Sequence, residues 1–160
     1  DYLGLSNPVE PNSNTEIWER GRKIYTWLSN NYRYCGDKGL RVGTSFTQFQ
    51  FFSPDELLMS DNSRCGDCDD FATLFAGMMY ASGVSHENVL LVVGDVGGGH
   101  AWNWIVLNDQ AYRIDGVCSQ DKNIFGTIVN GYPKSYGNVD CFEHYNPQIV
   151  MNPSGYKILN

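Results

Sequence analysis

The chain has 160 residues, 42% of them apolar and 18% charged, with 8 Phe, 10 Tyr and 4 Trp. This length and composition give one core-forming domain over residues 1–160 and exclude a disordered tail, a coiled coil or a low-complexity linker. The net charge of −7 argues against nucleic acid and anionic lipid as partners, and the aliphatic run Val89 to Val93 is far shorter than the ~20 residues of a membrane span.

Residues up to about 12, with Pro8, Pro11 and several Asn, read as an irregular lead-in. Ser13 followed by Glu16 is a capping box, which starts a helix over about 14–30. Ile17, Trp18, Gly21, Ile24, Tyr25 and Leu28 recur on one face of it. The stretch from Tyr32 to Phe52, with Gly36, Gly39 and Gly43, reads as loop and extended chain. Ser53, Pro54 and Glu56 mark the start of a short helix reaching about Met59. Phe71, Leu74, Phe75, Met78 and Met79 then give the clearest helical spacing in the chain, from near Cys68 to a stop at Gly83.

Strands follow over 89–94, 100–107 and 111–114. The turn 95–99 joins the first two, and the turn 108–110 joins the second to the third. Such short connections make neighbours antiparallel. Helices followed by a meander give an α+β fold. Residues 116–160, interrupted by Pro133, Pro147 and Pro153 and by several glycines, yield no assignable element.

Five cysteines, Cys35, Cys65, Cys68, Cys118 and Cys141, leave at least one thiol unpaired within the chain. Two disulfides and one free thiol fit an oxidising compartment, and five free thiols fit a cytoplasm. Few Lys and many Asn, Gly and Tyr favour an extracytoplasmic or secreted protein. With Cys68 free, three pairings of the other four exist, and proximity in sequence favours Cys35–Cys65 and Cys118–Cys141.

Cys68 falls at the start of the central helix. Unpaired N–H groups and a partial positive charge there favour a thiolate and can hold an oxyanion. His100 opens a strand after three glycines that allow a substrate close approach. Asp115 ends the strand paired with it, so hairpin geometry brings Asp115 beside His100. Nucleophile, base and orienting carboxylate then make a Cys–His–Asp triad. Each residue alone has a plainer reading: a buried or disulfide-bonded cysteine, a surface histidine, an aspartate in a turn.

The segments Gly66-Asp67-Cys68-Asp69-Asp70-Phe71-Ala72, Gly83-Val84, His100-Ala101-Trp102 and Tyr112-Arg113-Ile114-Asp115 together resemble the transglutaminase-like superfamily. Ser53 to Leu58, and the first helix with Trp27 and Tyr32-Arg33-Tyr34, resemble its prokaryotic members. The resemblance spans about residues 14–116 and leaves 117–160 unmatched. It implies a papain-like core, a helix bearing Cys68 packed on an antiparallel sheet, with Cys68 as nucleophile, His100 as base and acid, and Asp115 as orienter.

Acyl transfer through a thioester follows. Water completes hydrolysis of a peptide, isopeptide or other amide; a second amine gives a transglutaminase cross-link. A small domain with nothing to exclude water favours the cysteine hydrolase, acting on a peptide, a protein or a cell-wall cross-link. The Cys68 backbone N–H and one of Gln48, Gln50 or Tyr32 are candidate oxyanion donors. Trp102, on the His100 face of its strand, either walls the site or packs in the core.

Asp67, Asp69 and Asp70 surround the nucleophile. Their charge suits a helix N-terminus unaided, with Arg64 nearby, and also suits calcium. The resemblance extends to bacterial transglutaminase-like cysteine peptidases, whose flanking acids bind calcium, and this implies Asp67 and Asp69 as ligands, with Asp70 as a third candidate. No cofactor is otherwise required.

Three rival readings remain. Cys65-Gly66-Asp67-Cys68 is a C-x-x-C, as in thiol–disulfide oxidoreductases, although no clear strand precedes it and no proline follows at the expected place. Zinc would need a second cysteine pair at ligand spacing. A catalytically silent binding module on the same fold is disfavoured by a filled triad.

Overall fold

The structure is a computed structural model that describes residues 11, 13–34, 65–117, 124–128 and 145–159. Among these residues two helices pack on an antiparallel sheet, the α+β architecture expected. Helix α1 spans Asn14–Asn31, and Ser13 caps it, its hydroxyl accepting the Glu16 N–H at 3.3 Å. Its buried face is Ile17, Gly21, Ile24, Tyr25 and Leu28, the predicted spacing. Helix α2 spans Cys68–Ala81 and buries Phe71, Leu74, Phe75, Met78 and Met79. Each such side chain contributes roughly 1.5–3 kcal/mol by leaving water. The helix predicted for 54–59 lies outside the described residues.

Two residues, Arg33–Tyr34 (β1), pair in parallel with Cys65–Gly66 (β2), a link the sequence reading lacks. The main sheet holds β3 (Val89–Asp95), β4 (Gly99–Leu107), β5 (Gln110–Asp115), β6 (Ile124–Ile128), β7 (Asn146–Asn152) and β8 (Gly155–Ile158). Its order is β6-β5-β4-β3-β7-β8, all antiparallel. The central meander β3-β4-β5 is the predicted one. Asn108 and Asp109 both take positive φ, 50° and 61°, as a two-residue hairpin turn demands. Strands β6 to β8 come from the region where sequence assigned none.

Alternation along β4 divides the core. Ile105 and Leu107 join Ile114 and the helices in one cluster. Asn103 Nδ2, on the same side, donates to the α2 carbonyl of Ala72 at 2.9 Å. Trp102 and Trp104 point the other way and pack with Val92, Ala111, Tyr145 and Val150. The first strand residues of β4 and the last of β5 emerge at the same end of the sheet, where the N-terminus of α2 also lies.

Candidate functional site

Cys68 is the first residue of α2, half-buried and a free thiol. The helix start is built from carboxylates. Asp67 stands at the N-cap and its side chain accepts the Asp70 N–H, while Asp70 Oδ2 accepts the Asp67 N–H at 3.4 Å. Gly66, two residues before Cys68, is hemmed in by the Tyr32 hydroxyl and the Asp70 carboxylate. A Cβ there would collide with both.

His100 opens β4 and is 6% exposed. Its Nε2 lies 2.7 Å from Oδ2 of Asp115, which ends β5 and is 1% exposed. The register pairs Asn103 with Ile114, and one step further sets Trp102 opposite Asp115 and His100 on the diagonal. Cross-strand diagonals are within reach of long side chains.

Burial pushes the His100 pKa down, but hydrogen bonds to Asp115 and to Cys68, and their charges, override it and raise it to about 9. His100 therefore stands between the thiol and the carboxylate, with Nε2 on Asp115 and Nδ1 left for Cys68. The three residues singled out from the sequence converge.

Asp115 is anchored further. Its Oδ1 accepts the Val117 N–H at 3.1 Å, and its Oδ2 accepts the Tyr145 hydroxyl at 2.7 Å. Its backbone carbonyl accepts the Tyr25 hydroxyl of α1 at 3.1 Å. Gly116 follows because the Phe71 ring fills the space a Cβ would take. Tyr145 escaped the sequence reading. It stands 30 residues beyond Asp115, before a strand with no local signature, so no spacing ties it to the site.

Among the oxyanion candidates, Gln48 and Gln50 lie outside the described residues. Tyr32 follows α1 directly. Its hydroxyl is buried with no hydrogen-bond partner among the described residues. Burial, then the charges of Asp70, Asp67 and Asp69, push its pKa far above that of an ordinary phenol, so it stays a donor. Trp102 stacks on His100, ring centroids 5.8 Å apart and planes 23° apart, and is itself buried. It packs in the core and backs the imidazole at once.

Asp67 Oδ1 is buried without a hydrogen-bond partner among the described residues. Burial, then a hydrogen bond that protonated Asp67 donates to the Asp69 carboxylate, and the Asp69 charge, push the Asp67 pKa up to about 6 against backbone N–H donors from Asp69 and Asp70. One ligand atom from each of Asp67, Cys68 and Asp69 falls within 4.8 Å of the others. Two crowded carboxylates with an unsatisfied oxygen fit a hard cation such as calcium. Arg64 and the cysteines Cys35, Cys118 and Cys141 lie outside the described residues, as do both expected disulfides. No helix among the described residues is long and apolar enough to cross a membrane.

Comparison with known proteins agrees with this architecture. Solved structures of Legionella pneumophila LapG share the fold. One gives a TM-score of 0.62 at 16% identity, covering 91% of this chain and 71% of that one. A calcium-bound form gives 0.62 at 17%, covering 92% and 70%. An EGTA-treated form gives 0.62 at 15%, covering 93% and 69%. No curated protein matches in sequence. A family model described as a transglutaminase-like domain matches residues 4–121, and the chain belongs to that family.

Proposed function

We propose that the chain is a cysteine hydrolase that cleaves a peptide, isopeptide or other amide bond through a thioester on Cys68. The supporting observation is His100 held between Cys68 and Asp115, with its second nitrogen 2.7 Å from the carboxylate. His100 accepts the thiol proton, and the thiolate attacks the substrate carbonyl. His100 then gives that proton to the departing amine. Water, deprotonated by the now neutral imidazole, attacks the thioester and frees the acid and the thiol. Asp115 holds the imidazole in one tautomer and stabilises its charge.

In this reading the Cys68 backbone N–H and the Tyr32 hydroxyl hold the oxyanion. An unpartnered donor kept protonated in an acidic cluster suits that task. Asp67 and Asp69 would hold calcium, which neutralises carboxylates that otherwise oppose a neighbouring thiolate. The calcium-bound form of LapG is consistent with that assignment. The whole chain, 1–160, acts as one domain on a peptide or protein outside the cytoplasm.

The test is to expose a denatured protein extract to the protein and to Cys68→Ala, with calcium present, and sequence new N-termini. New termini that need Cys68 support hydrolysis. Cys68-dependent incorporation of an added primary amine, without cleavage, moves the assignment to a cross-linking acyltransferase. A Cys65–Cys68 disulfide that exchanges with added thiols replaces both with an oxidoreductase.

A further inference from the structure

We propose that Tyr145 is a positioning residue for the His100–Asp115 pair, its hydroxyl donating to the same carboxylate oxygen that faces the imidazole. The inference rests on the catalytic reading above and extends it to a residue beyond position 121, where the family match ends.

The fold delivers Tyr145 through the sheet. It immediately precedes β7, whose Asn146 and Pro147 pair with Asp95 and Gly94 of β3. Gly94 in turn pairs with His100 of β4. The close approach needs a glycine, because a Cβ on residue 94 would collide with the Asn146 carbonyl oxygen and crowd the Trp102 ring. A register shift between Val93 and Gly94 admits the turn of chain at this point.

Tyr145 is then buried edge-on to Trp102, centroids 5.0 Å apart and planes at 78°, with the His100 ring 6.1 Å away. The Arg113 guanidinium carbon sits 3.9 Å from the centre of its ring. That stacking holds the ring from the side of β5, two residues from Asp115 on the same face of the strand. The hydroxyl reaches Asp115 Oδ2 at 2.7 Å, the same distance as His100 Nε2.

The consequence is chemical. The Asp115 carboxylate receives Val117 N–H on Oδ1, and His100 and Tyr145 on Oδ2. A donor on a carboxylate stabilises its charged form and makes it a weaker base. Tyr145 therefore limits how tightly Asp115 binds the imidazolium proton, which His100 must give up to the leaving group. Among the described residues, the other titratable or charged groups packed around the pair include Cys68 on α2, Arg113 on β5 and Tyr25 on α1. Tyr145→Phe leaves all of these, and the stacked ring, in place.

The experiment is an NMR titration of the His100 imidazole in the full chain and in Tyr145→Phe, with thermal melts of both. The wild-type midpoint is expected near 9. The variant is expected to titrate about one pH unit higher, a roughly tenfold tighter hold on the proton. Tyr145→Leu, which also loses the ring, should show the same direction of shift with a lower melting temperature. A lower melting temperature with an unchanged or lowered midpoint in both variants makes Tyr145 structural only and overturns the inference. The same samples are alkylated at pH 6. If wild-type Cys68 shows no His100-dependent reactivity, the catalytic reading fails; if it does while the midpoints coincide, only the role of Tyr145 fails.

Discussion

His100 Nε2 lies 2.7 Å from Asp115 Oδ2, and both side chains are buried at the seam between the sheet and the start of α2. The pair has a thermodynamic signature. The His100 pKa rises from 6.5 in a free chain to about 9 in the fold. The folded state therefore binds the proton more tightly, and the stability gained is full below pH 6.5 and lost as pH rises through 9. Asp115→Asn should cost on the order of 3 kcal/mol at pH 6, shrinking towards pH 10. Urea melts across that range read it; a cost that does not change with pH contradicts it.

Gly116 sets Asp115 against α2. A Cβ at 116 would enter the Phe71 ring, which also packs edge-on to Tyr25 at 6.1 Å. Gly116→Ala is expected to destabilise by about 1–3 kcal/mol through overpacking. Phe71→Leu in the same chain should restore part of the loss, so the two changes will not add. Additive melts would show that the ring is not what excludes the methyl group.

Removing the Tyr32 hydroxyl tests the oxyanion assignment. Tyr32→Phe keeps the ring that packs on Phe71, centroids 6.0 Å apart, and removes only the unpartnered donor. Once a substrate is in hand, kcat should fall by about 10²-fold with KM little changed. An unchanged kcat would transfer the role to another donor.

Calcium should raise the melting temperature of the protein by a few degrees at millimolar concentration, and EGTA should reverse it. Asp67→Asn and Asp69→Asn should each abolish the shift, since the two carboxylates and the buried Asp67 oxygen carry the proposed site. A shift that survives both substitutions would place the ion elsewhere.

Much of the site is local in the sequence, which is why it was readable. Phe71 to Met79 announce α2 by spacing, and this puts Cys68 at its start. The Asn108–Asp109 turn, with both residues at positive φ, dictates the β4–β5 pairing, and that pairing alone brings Asp115 to His100. The remainder depends on contacts distant along the chain. β7 pairs with β3 across more than 50 residues, through a proline and a register shift, so no alternation marks it. Tyr145 arrives with that strand and was invisible for the same reason. The polar-aromatic surroundings of Tyr32 mark it as a candidate, but its approach to Gly66 and Asp70 follows from the β1–β2 pairing, two residues long and parallel.

The activated Cys68–His100 pair is read out by the rate of Cys68 alkylation by iodoacetamide at pH 6, measured by peptide mapping in the wild type and in His100→Ala. An ordinary thiol, with a pKa near 8.5, reacts slowly at that pH. One fast label, on Cys68, is expected in the wild type with calcium present, and its loss in His100→Ala. A slow Cys68 in the wild type, or a fast one indifferent to His100, would contradict the nucleophile–base pair on which the proposed activity stands.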